Sequence, residues 1–358
     1  MAPMRVSVLM TTYNGASTIG ESIASVLAQS FEDFELVVVD DASTDATPSL
    51  LAATPDPRIR ILRNARNLGV VGARNAGFAV CCGAYVAALD HDDLAERTRL
   101  ERQVALLDRE PRVVLAGTWI RELLPAGRVI TTDYGSDNTP AVMRWQLHLR
   151  NPYTYSSIMV RADAVRSLGA FMREDAIYAD DYDLYLRLAR VGELAMVPEV
   201  LCAYRTHRTN ITHTVTPMMD TNAAAVLAEA NAPFLGADAD DAARLFVRYL
   251  TRGSPPPDAA TLRRLGRYLQ RLLAGFIDTY RPTAAEAARI REFTGQIWWH
   301  CVRAGMRNGR PWLVAEHFRA RRLRAGFHPS FADAGSSLAI GLLRAPTSLS
   351  ARAFASRA

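Results

Sequence analysis

Tyr85-Val-Ala-Ala-Leu-Asp-His-Asp-Asp93 is an apolar run of strand length that opens directly onto three carboxylates. A continuous apolar run is the pattern of a strand covered on both faces, so the stretch predicts a buried strand delivering acidic groups to the rim of a sheet. Asp90 and Asp92 stand two apart, and at a strand end they can converge on one divalent cation together with phosphate oxygens. The same residues ahead of Leu94 also suit a helix start, where acidic side chains complement free N–H groups and the helix dipole. The flanking sequence favours the metal over the cap.

Upstream, Arg5 to Met10 reads as a first strand, followed by Thr11, Thr12, Tyr13 and Asn14 in a loop. Thr18-Ile-Gly-Glu21 has the spacing of a capping box opening a helix to about Gln29. Phe34 to Val39 is a second buried strand that also ends in carboxylates, Asp40 and Asp41, and Ile59 to Leu62 is a short third. Asn67-Leu-Gly-Val-Val-Gly-Ala-Arg-Asn-Ala-Gly77 is a turn with glycines leading into a helix that ends near Gly83. Apolar strands alternating with helices predict a parallel sheet with right-handed crossovers, and such sheets bind ligands beyond the carboxyl ends of their strands. Thr11 to Asn14, Asp40 to Asp41 and Asp90 to Asp92 should then share one rim. No Gly-x-Gly-x-x-Gly follows the first strand and no Walker loop is present, which disfavours hydride transfer and P-loop chemistry. What remains is a nucleotide site in which a metal, not a glycine loop, holds the phosphates.

The 358 residues suffice for two domains, with 49% hydrophobic and 22% charged residues as in an ordinary globular protein. All 42 basic residues are arginine, and the net charge is +5. Cys81, Cys82, Cys202 and Cys301 lack metal-ligand spacing and read as reduced thiols. No uncharged stretch of spanning length occurs, and the first strand begins too early for a signal peptide. The expected location is the cytoplasm, with peripheral attachment to the inner face of the plasma membrane as the variant.

Val6 to Asn14, Phe34 to Asp45, Asn67 to Asn75 and Leu89 to Asp93 together resemble the successive motifs of family 2 glycosyltransferases. The resemblance covers residues 4 to 215. It implies a GT-A fold, a Rossmann-like, mostly parallel α/β sheet flanked by helices, and an inverting, metal-dependent enzyme using a nucleotide-sugar, UDP-linked by preference. It assigns base and ribose to Thr11, Tyr13 and Asp41, where a Tyr ring can stack on a base and a carboxylate can accept an imide N–H. It assigns ribose to Asp90 and a divalent metal, Mn²⁺ or Mg²⁺, to Asp92; His91 receives no role. Arg74 helps hold the nucleotide in this reading, and a solvated surface arginine is the alternative.

Val113 to Gly117 reads as a further strand, and Leu123 to Thr132 as a hairpin around Pro125-Ala-Gly127. Asn151 to Val160 resembles the stretch bordering sugar and acceptor in the family. In Tyr178 to Ala189, helical periodicity from Leu184 leaves Asp180, Asp181 and Asp183 crowding the first turn, where the helix dipole alone accounts for them. The family has Glu-Asp here with the Asp as general base, so the resemblance makes Asp181 the base, with Asp180 standing where Glu is usual. Leu194 to Val197 and Val200 to Arg205 are two short strands. Tyr204-Arg-Thr-His207 resembles the closing motif, whose His can be a further metal ligand; the resemblance offers His207 for that role and His213 more weakly, and a structural or surface histidine is the alternative.

From 216 the chain turns to Ala-rich helices broken by Pro233, Gly253-Ser-Pro-Pro-Pro257, Pro282, Pro311 and Pro329. The expected domains are 1–215, with a nucleotide half to about 117 and an acceptor half from 118, and a helical extension 216–358. Arg303, Arg307, Arg310, Arg319, Arg321, Arg322, Arg324, Arg344, Arg352 and Arg357 face only Glu316 and Asp333 after Trp298. Basic helices carrying Trp298, Trp299, Trp312 and Phe318 fit an anionic membrane surface; a helical cap or dimerisation domain is the other reading.

The function expected is sugar transfer from a nucleotide-sugar to a hydroxyl of a saccharide or lipid-linked saccharide, in surface polysaccharide or glycolipid synthesis. A non-catalytic assembly subunit and a sugar nucleotidyltransferase are the rivals; the second usually carries a Gly-rich basic loop that Thr11 to Gly15 lacks. No nucleic-acid motif accompanies the arginines. Sugar, acceptor and linkage depend on pocket shape, with acceptor determinants expected in Thr118 to Tyr155.

Overall fold

The structure, a computed structural model, describes residues 4–125, 128–131, 139–207, 215–324 and 326–345. The tip of the expected hairpin at 126–127, part of the Thr118 to Tyr155 stretch (132–138), His213, Arg352 and Arg357 lie outside the described residues.

The chain divides into two compact units, Met1–Leu147 with Pro152–Ala223, and His148–Asn151 with Ala224–Ala358. The first is built on a sheet in the order β3 (Ile59–Arg63), β2 (Phe34–Asp40), β1 (Val6–Thr12), β4 (Tyr85–Ala88), β8 (Met159–Arg161), β6 (Val113–Leu123), β9 (Glu193–Arg205) and β5 (Leu94–Ala95), with β7 (Val129–Thr131) pairing β6 off that path. β1 (Val6–Thr12), β2 (Phe34–Asp40), β3 (Ile59–Arg63) and β4 (Tyr85–Ala88) run parallel. β1 and β2 are buried almost throughout and β4 entirely, as their unbroken apolar runs require. β8 (Met159–Arg161) lies antiparallel between β4 and β6 (Val113–Leu123), which makes the far half of the sheet mixed. β7 (Val129–Thr131) forms the expected hairpin with β6, and β5 (Leu94–Ala95) pairs with the end of β9 (Glu193–Arg205).

β9 is one strand where two were expected. Thr118 pairs with Val197 but Trp119 pairs with Val200, so Pro198 and Glu199 are skipped as a bulge and pairing resumes beyond them. A proline cannot donate to a ladder, and a bulge absorbs it without ending the strand.

The helices α1 (Ile19–Leu27), α2 (Thr47–Ala52), α3 (Gly69–Val80) and α4 (Arg99–Arg109) supply the crossovers among the first strands. The capping box expected at α1 is not formed: Thr18 makes no side-chain cap, and Glu21 instead accepts a hydrogen bond from Arg205, 2.6 Å away. α3 lies close on the sheet because residue 77 is glycine; a Cβ there would collide with Leu9 and Val39. Further on come α5 (Pro140–Leu147), α6 (Ala162–Ser167) and α7 (Asp180–Val191), whose first turn carries the expected acidic cluster.

The second unit is helical: the end of α8 (Thr216–Leu235), then α9 (Ala239–Phe246), α10 (Ala259–Tyr280), α11 (Ala284–Arg307), α12 (Val314–Arg319), α13 (Arg321–Arg324) and α14 (Phe331–Arg344). Pro233 does not break α8 but sits in its last turn. Asp258 caps α10, and Thr283 with Glu286 forms a complete capping box on α11. Trp298 and Trp299, which the membrane-surface reading placed on an outer face, are instead buried in the core, as are Leu265, Leu269 and Phe276.

Ala42 has φ 62°, a left-handed conformation that costs an L-residue about 1 kcal/mol and glycine almost nothing. Ala42→Gly should therefore raise unfolding stability by about 0.5–1 kcal/mol, measured as a higher urea midpoint at unchanged m-value. His317 is buried against Trp299, and among the described residues its Nδ1 has no hydrogen-bond partner. Burial, with Arg324 and His328 nearby, pulls its pKa down to about 4. The unfolded chain therefore binds this proton first, so stability is full above about pH 6.5 and falls as pH drops toward 4. His317→Phe should flatten that slope, recovering up to about 3 kcal/mol at acid pH.

Candidate active site

The parallel strands bring three loops to one rim. After β1, Asn14 takes φ 55°, donates its N–H to Ser43 Oγ (2.9 Å) and accepts from the Thr44 N–H (2.9 Å). The loops following β1 and β2 are thereby tied together, and the Asp41 N–H adds a bond to the Thr12 carbonyl (2.9 Å). Tyr13 projects 46% exposed, an aromatic face open to stacking, while Thr11 is half-buried beside it.

Asp41 is buried and already engaged. Its carboxylate accepts from Asn64 Nδ2 (2.7 Å), the Leu68 N–H (2.9 Å) and the Gly69 N–H (2.9 Å), so it caps the amino end of α3 from another loop. Three donors leave about one of a carboxylate's four acceptor positions for a ligand N–H.

Arg74 is where the structure decides between the alternatives. It is not a solvated surface residue: it is buried, donating from one nitrogen to Asp180 (2.8 Å) and from the other to Asp90 (3.2 Å). Its guanidinium carbon lies 3.5 Å from the centre of the Tyr155 ring, a cation–π contact. Burial works against the charge, but Tyr155, Asp90, Asp180 and Asp181 outweigh it and hold the guanidinium well above its ordinary pKa.

Asp90 and Asp92 extend from the turn after β4. The Asp90 N–H donates to Ser156 Oγ (2.9 Å), and burial, opposed by Arg74 and aided by Asp92, pushes the Asp90 carboxyl above the usual range. Asp93, fully buried, is pushed up further, first by burial and then by the charges of Asp92 and Asp90. Asp92 Oδ2 lies 2.8 Å from His207 Nε2, so the two expected metal ligands meet from residues 115 apart in sequence. Among the described residues no three His, Cys, Asp or Glu side chains gather into a complete metal cluster. One carboxylate and one imidazole, with Asp90 on the same turn, nevertheless fit a cation that takes its remaining ligands from phosphate and water.

On α7, two of the three acidic residues are committed to arginines: Asp180 to Arg74, and Asp183 to Arg187 (2.7 Å) and Arg173 (3.2 Å). Asp181 is half-buried, with one oxygen accepting from the Tyr182 N–H (2.7 Å). The helix is entered through Tyr178 at φ 64°, a strained conformation for a bulky residue.

Several contributors went unread in the sequence. Arg205 donates its backbone N–H to Asp93 (2.8 Å), its Nε to the Asp92 carbonyl (2.9 Å) and its terminal nitrogen to Glu21, which fixes the approach of His207 two residues on. His91 braces the β1 loop through Nδ1 and the Thr11 carbonyl (3.3 Å), and a Cβ at Gly15 would run into its ring. Ser156 accepts from the Asp90 N–H and the Tyr155 ring faces the Arg74 guanidinium. Each lies inside a stretch the sequence singles out, Arg205 in Tyr204 to His207, His91 in Leu89 to Asp93, and Tyr155 and Ser156 in Asn151 to Val160, but none was read there as a partner of the carboxylates or of Arg74.

The sequence profile of Glycosyl transferase family 2 matches residues 7–168. EpsE of Bacillus subtilis is 33% identical over 196 residues, which cover 52% of this chain and 68% of that one. The succinoglycan biosynthesis protein ExoO of Rhizobium meliloti is 48% identical over 103 residues, 29% of this chain and 30% of that one. The chain spans between 30% and 68% of the length of the first three curated relatives it matches. Among solved structures, S. aureus TarS 1-349 in complex with UDP-GlcNAc shares the fold, with a TM-score of 0.55 at 17% identity over 89% of this chain and 90% of that one.

Removing the shared cation exposes what it holds. Arg74→Ala leaves Asp180 and Asp90 facing each other without it, and breaking a buried pair in this way costs about 3–5 kcal/mol. The expected result is a large drop in urea midpoint, with a smaller drop for Arg74→Lys, which keeps the charge but not the fork.

Proposed function

The chain belongs to glycosyl transferase family 2, and from that premise we propose that it moves a sugar from a UDP-sugar to an acceptor hydroxyl with inversion at the anomeric carbon. The acceptor is a saccharide or lipid-linked saccharide, the pathway one of surface polysaccharide or glycolipid assembly, and the place of work the cytoplasm or the inner face of the plasma membrane. Among the described residues no helix is long and apolar enough to cross a membrane.

The observation that carries the reading is the double engagement of Arg74, which ties Asp90 on the donor side to Asp180, the neighbour of the base, through one rigid fork. A displacement at carbon needs nucleophile and leaving group held on opposite sides in a fixed geometry, and a shared guanidinium fixes the two supporting carboxylates together. Tyr13 stacks on the uracil, Asp41 accepts its imide N–H, and Thr11 and Asp90 hold the ribose. Asp181 takes the proton of the acceptor hydroxyl as its oxygen bonds to the anomeric carbon and the electron pair of the glycosyl–phosphate bond leaves with UDP. A divalent metal, Mn²⁺ or Mg²⁺, held by Asp92 and His207 would neutralise charge on the departing diphosphate.

The test is a thermal-shift panel of UDP, GDP, dTDP and CDP, with and without Mn²⁺, on wild type, Asp92→Ala and Asp181→Asn. A metal-dependent rise with UDP, worth about 2.7 kcal/mol at a hundred times Kd and lost in Asp92→Ala, is expected. Asp181→Asn should bind UDP normally yet lose transfer by about 10²–10⁴-fold. A folded wild type that responds to no nucleotide sinks the proposal, and a response to another nucleotide alone removes UDP from it.

A further inference from the structure

We propose that the outer face of α14, together with Trp312, is a docking surface for an anionic phospholipid membrane. The inference rests on the peripheral location in the reading above, not on its chemistry.

α14 is amphipathic the wrong way round for a helix meeting water. Its inward side is made of small and polar residues. Ser337 is fully buried and accepts from Arg307 Nε (3.0 Å). At Gly341 a Cβ would strike the Met306 carbonyl and press on Pro311, so glycine there is what lets the helix seat on α11. Asp333 takes the Trp299 indole N–H (2.7 Å) and the guanidinium groups of Arg303 and Arg307. The large apolar residues point outward: Phe331 is 99% exposed, Leu343 87%, Leu342 61% and Leu338 40%. Trp312 directly follows the Pro311 that meets Gly341, and it too is exposed. A helix that sends its leucines to solvent and Ser337 and Gly341 to the core has the character of an interfacial helix.

Charge selects the partner. Between residues 298 and 345 there are eight arginines against Glu316 and Asp333. Both carboxylates are already spent inside the unit, Glu316 buried between Arg263 and Arg319 and Asp333 against Arg303 and Arg307. Arg321, Arg322 and Arg344 are exposed. Arg344 directly follows Leu343, so a second copy on this face would set arginine against arginine, whereas anionic headgroups complement the excess of arginine in this stretch as the leucines and aromatic rings enter the acyl boundary. The occupant chosen is therefore lipid.

The experiment is flotation of the full chain with vesicles of equimolar phosphatidylglycerol and phosphatidylcholine, beside vesicles of phosphatidylcholine alone, at low and high salt. Binding to the anionic vesicles that weakens with salt is expected. Leu342→Ser/Leu343→Ser, at exposed positions, should lower partitioning about tenfold or more, as should Phe331→Ser, with melting temperature and nucleotide response unchanged. Failure of the wild type to float with anionic vesicles, equal binding to neutral ones, or full binding by the variants overturns the proposal. So does a wild-type oligomer that the double variant converts to monomer, since a second copy then covers the face. A nucleotide response that persists through any of these separates the membrane proposal from the transferase reading.

Discussion

A single buried guanidinium organises the rim. Arg74 is contributed by α3, yet its partners come from the turn after β4, from the start of α7 and from the residues just before β8. Burying an arginine is costly unless its donors are matched, and here two carboxylates and an aromatic face serve its terminal nitrogens and its charge, while its buried Nε has no hydrogen-bond partner among the described residues. Exchanging such a cluster for apolar residues often leaves stability unchanged or higher, so stability is not the reason to keep it. What the cluster provides is position: the planar fork fixes Asp90 and Asp180 relative to each other to within the reach of two hydrogen bonds. Gly77, one turn beyond Arg74, permits the close seating of α3 on which that reach depends.

Around this centre a second set of pins works at a longer sequence range. A parallel sheet brings its carboxyl ends together only roughly, since strands differ in length and the connecting loops are free to vary. Arg205 turns rough proximity into contact by bonding to Asp93, to the Asp92 carbonyl and to Glu21 at once. His207 then meets Asp92. His91, packed against Gly15 and the Thr11 carbonyl, does the same for the β1 loop.

What could be read from the sequence divides along the same line. The strands of the first half were legible because each is a continuous apolar run, and the common rim followed from parallel pairing alone. Asp90, Asp92 and Asp181 were legible as residues in motifs. Their partnerships were not, because a pattern local in sequence says nothing of a partner a hundred residues away. Thr18 and Glu21 show the cost of local reading: the spacing is that of a capping box, but Glu21 finds a better partner in the cation of Arg205. Trp298 and Trp299 show it again, since adjacent aromatic residues in a basic helix look outward-facing until neighbouring helices are known to cover both. Pro198 misled in the other direction, because a neighbouring strand carried β9 past it.

Strain points to the same rim. Four non-glycine residues among those described have positive φ, and three of them, Asn14, Ala42 and Tyr178, stand beside Tyr13, Asp41 and Asp180. Asparagine tolerates that conformation, but alanine and tyrosine do not adopt it without cost. Neither turn is stabilised by its own sequence, so each persists because its surroundings over-determine it. Ala42 lies between Asp41, whose carboxylate is held by the start of α3, and Ser43, whose N–H is held by Asp40 and whose hydroxyl is held by Asn14. Tyr178 precedes an α7 anchored through Asp180 and Asp183. Polar pins thus sustain the local strain, and both strained turns lie next to carboxylates that are themselves pinned, Asp41 and Asp180, rather than in loops that merely connect.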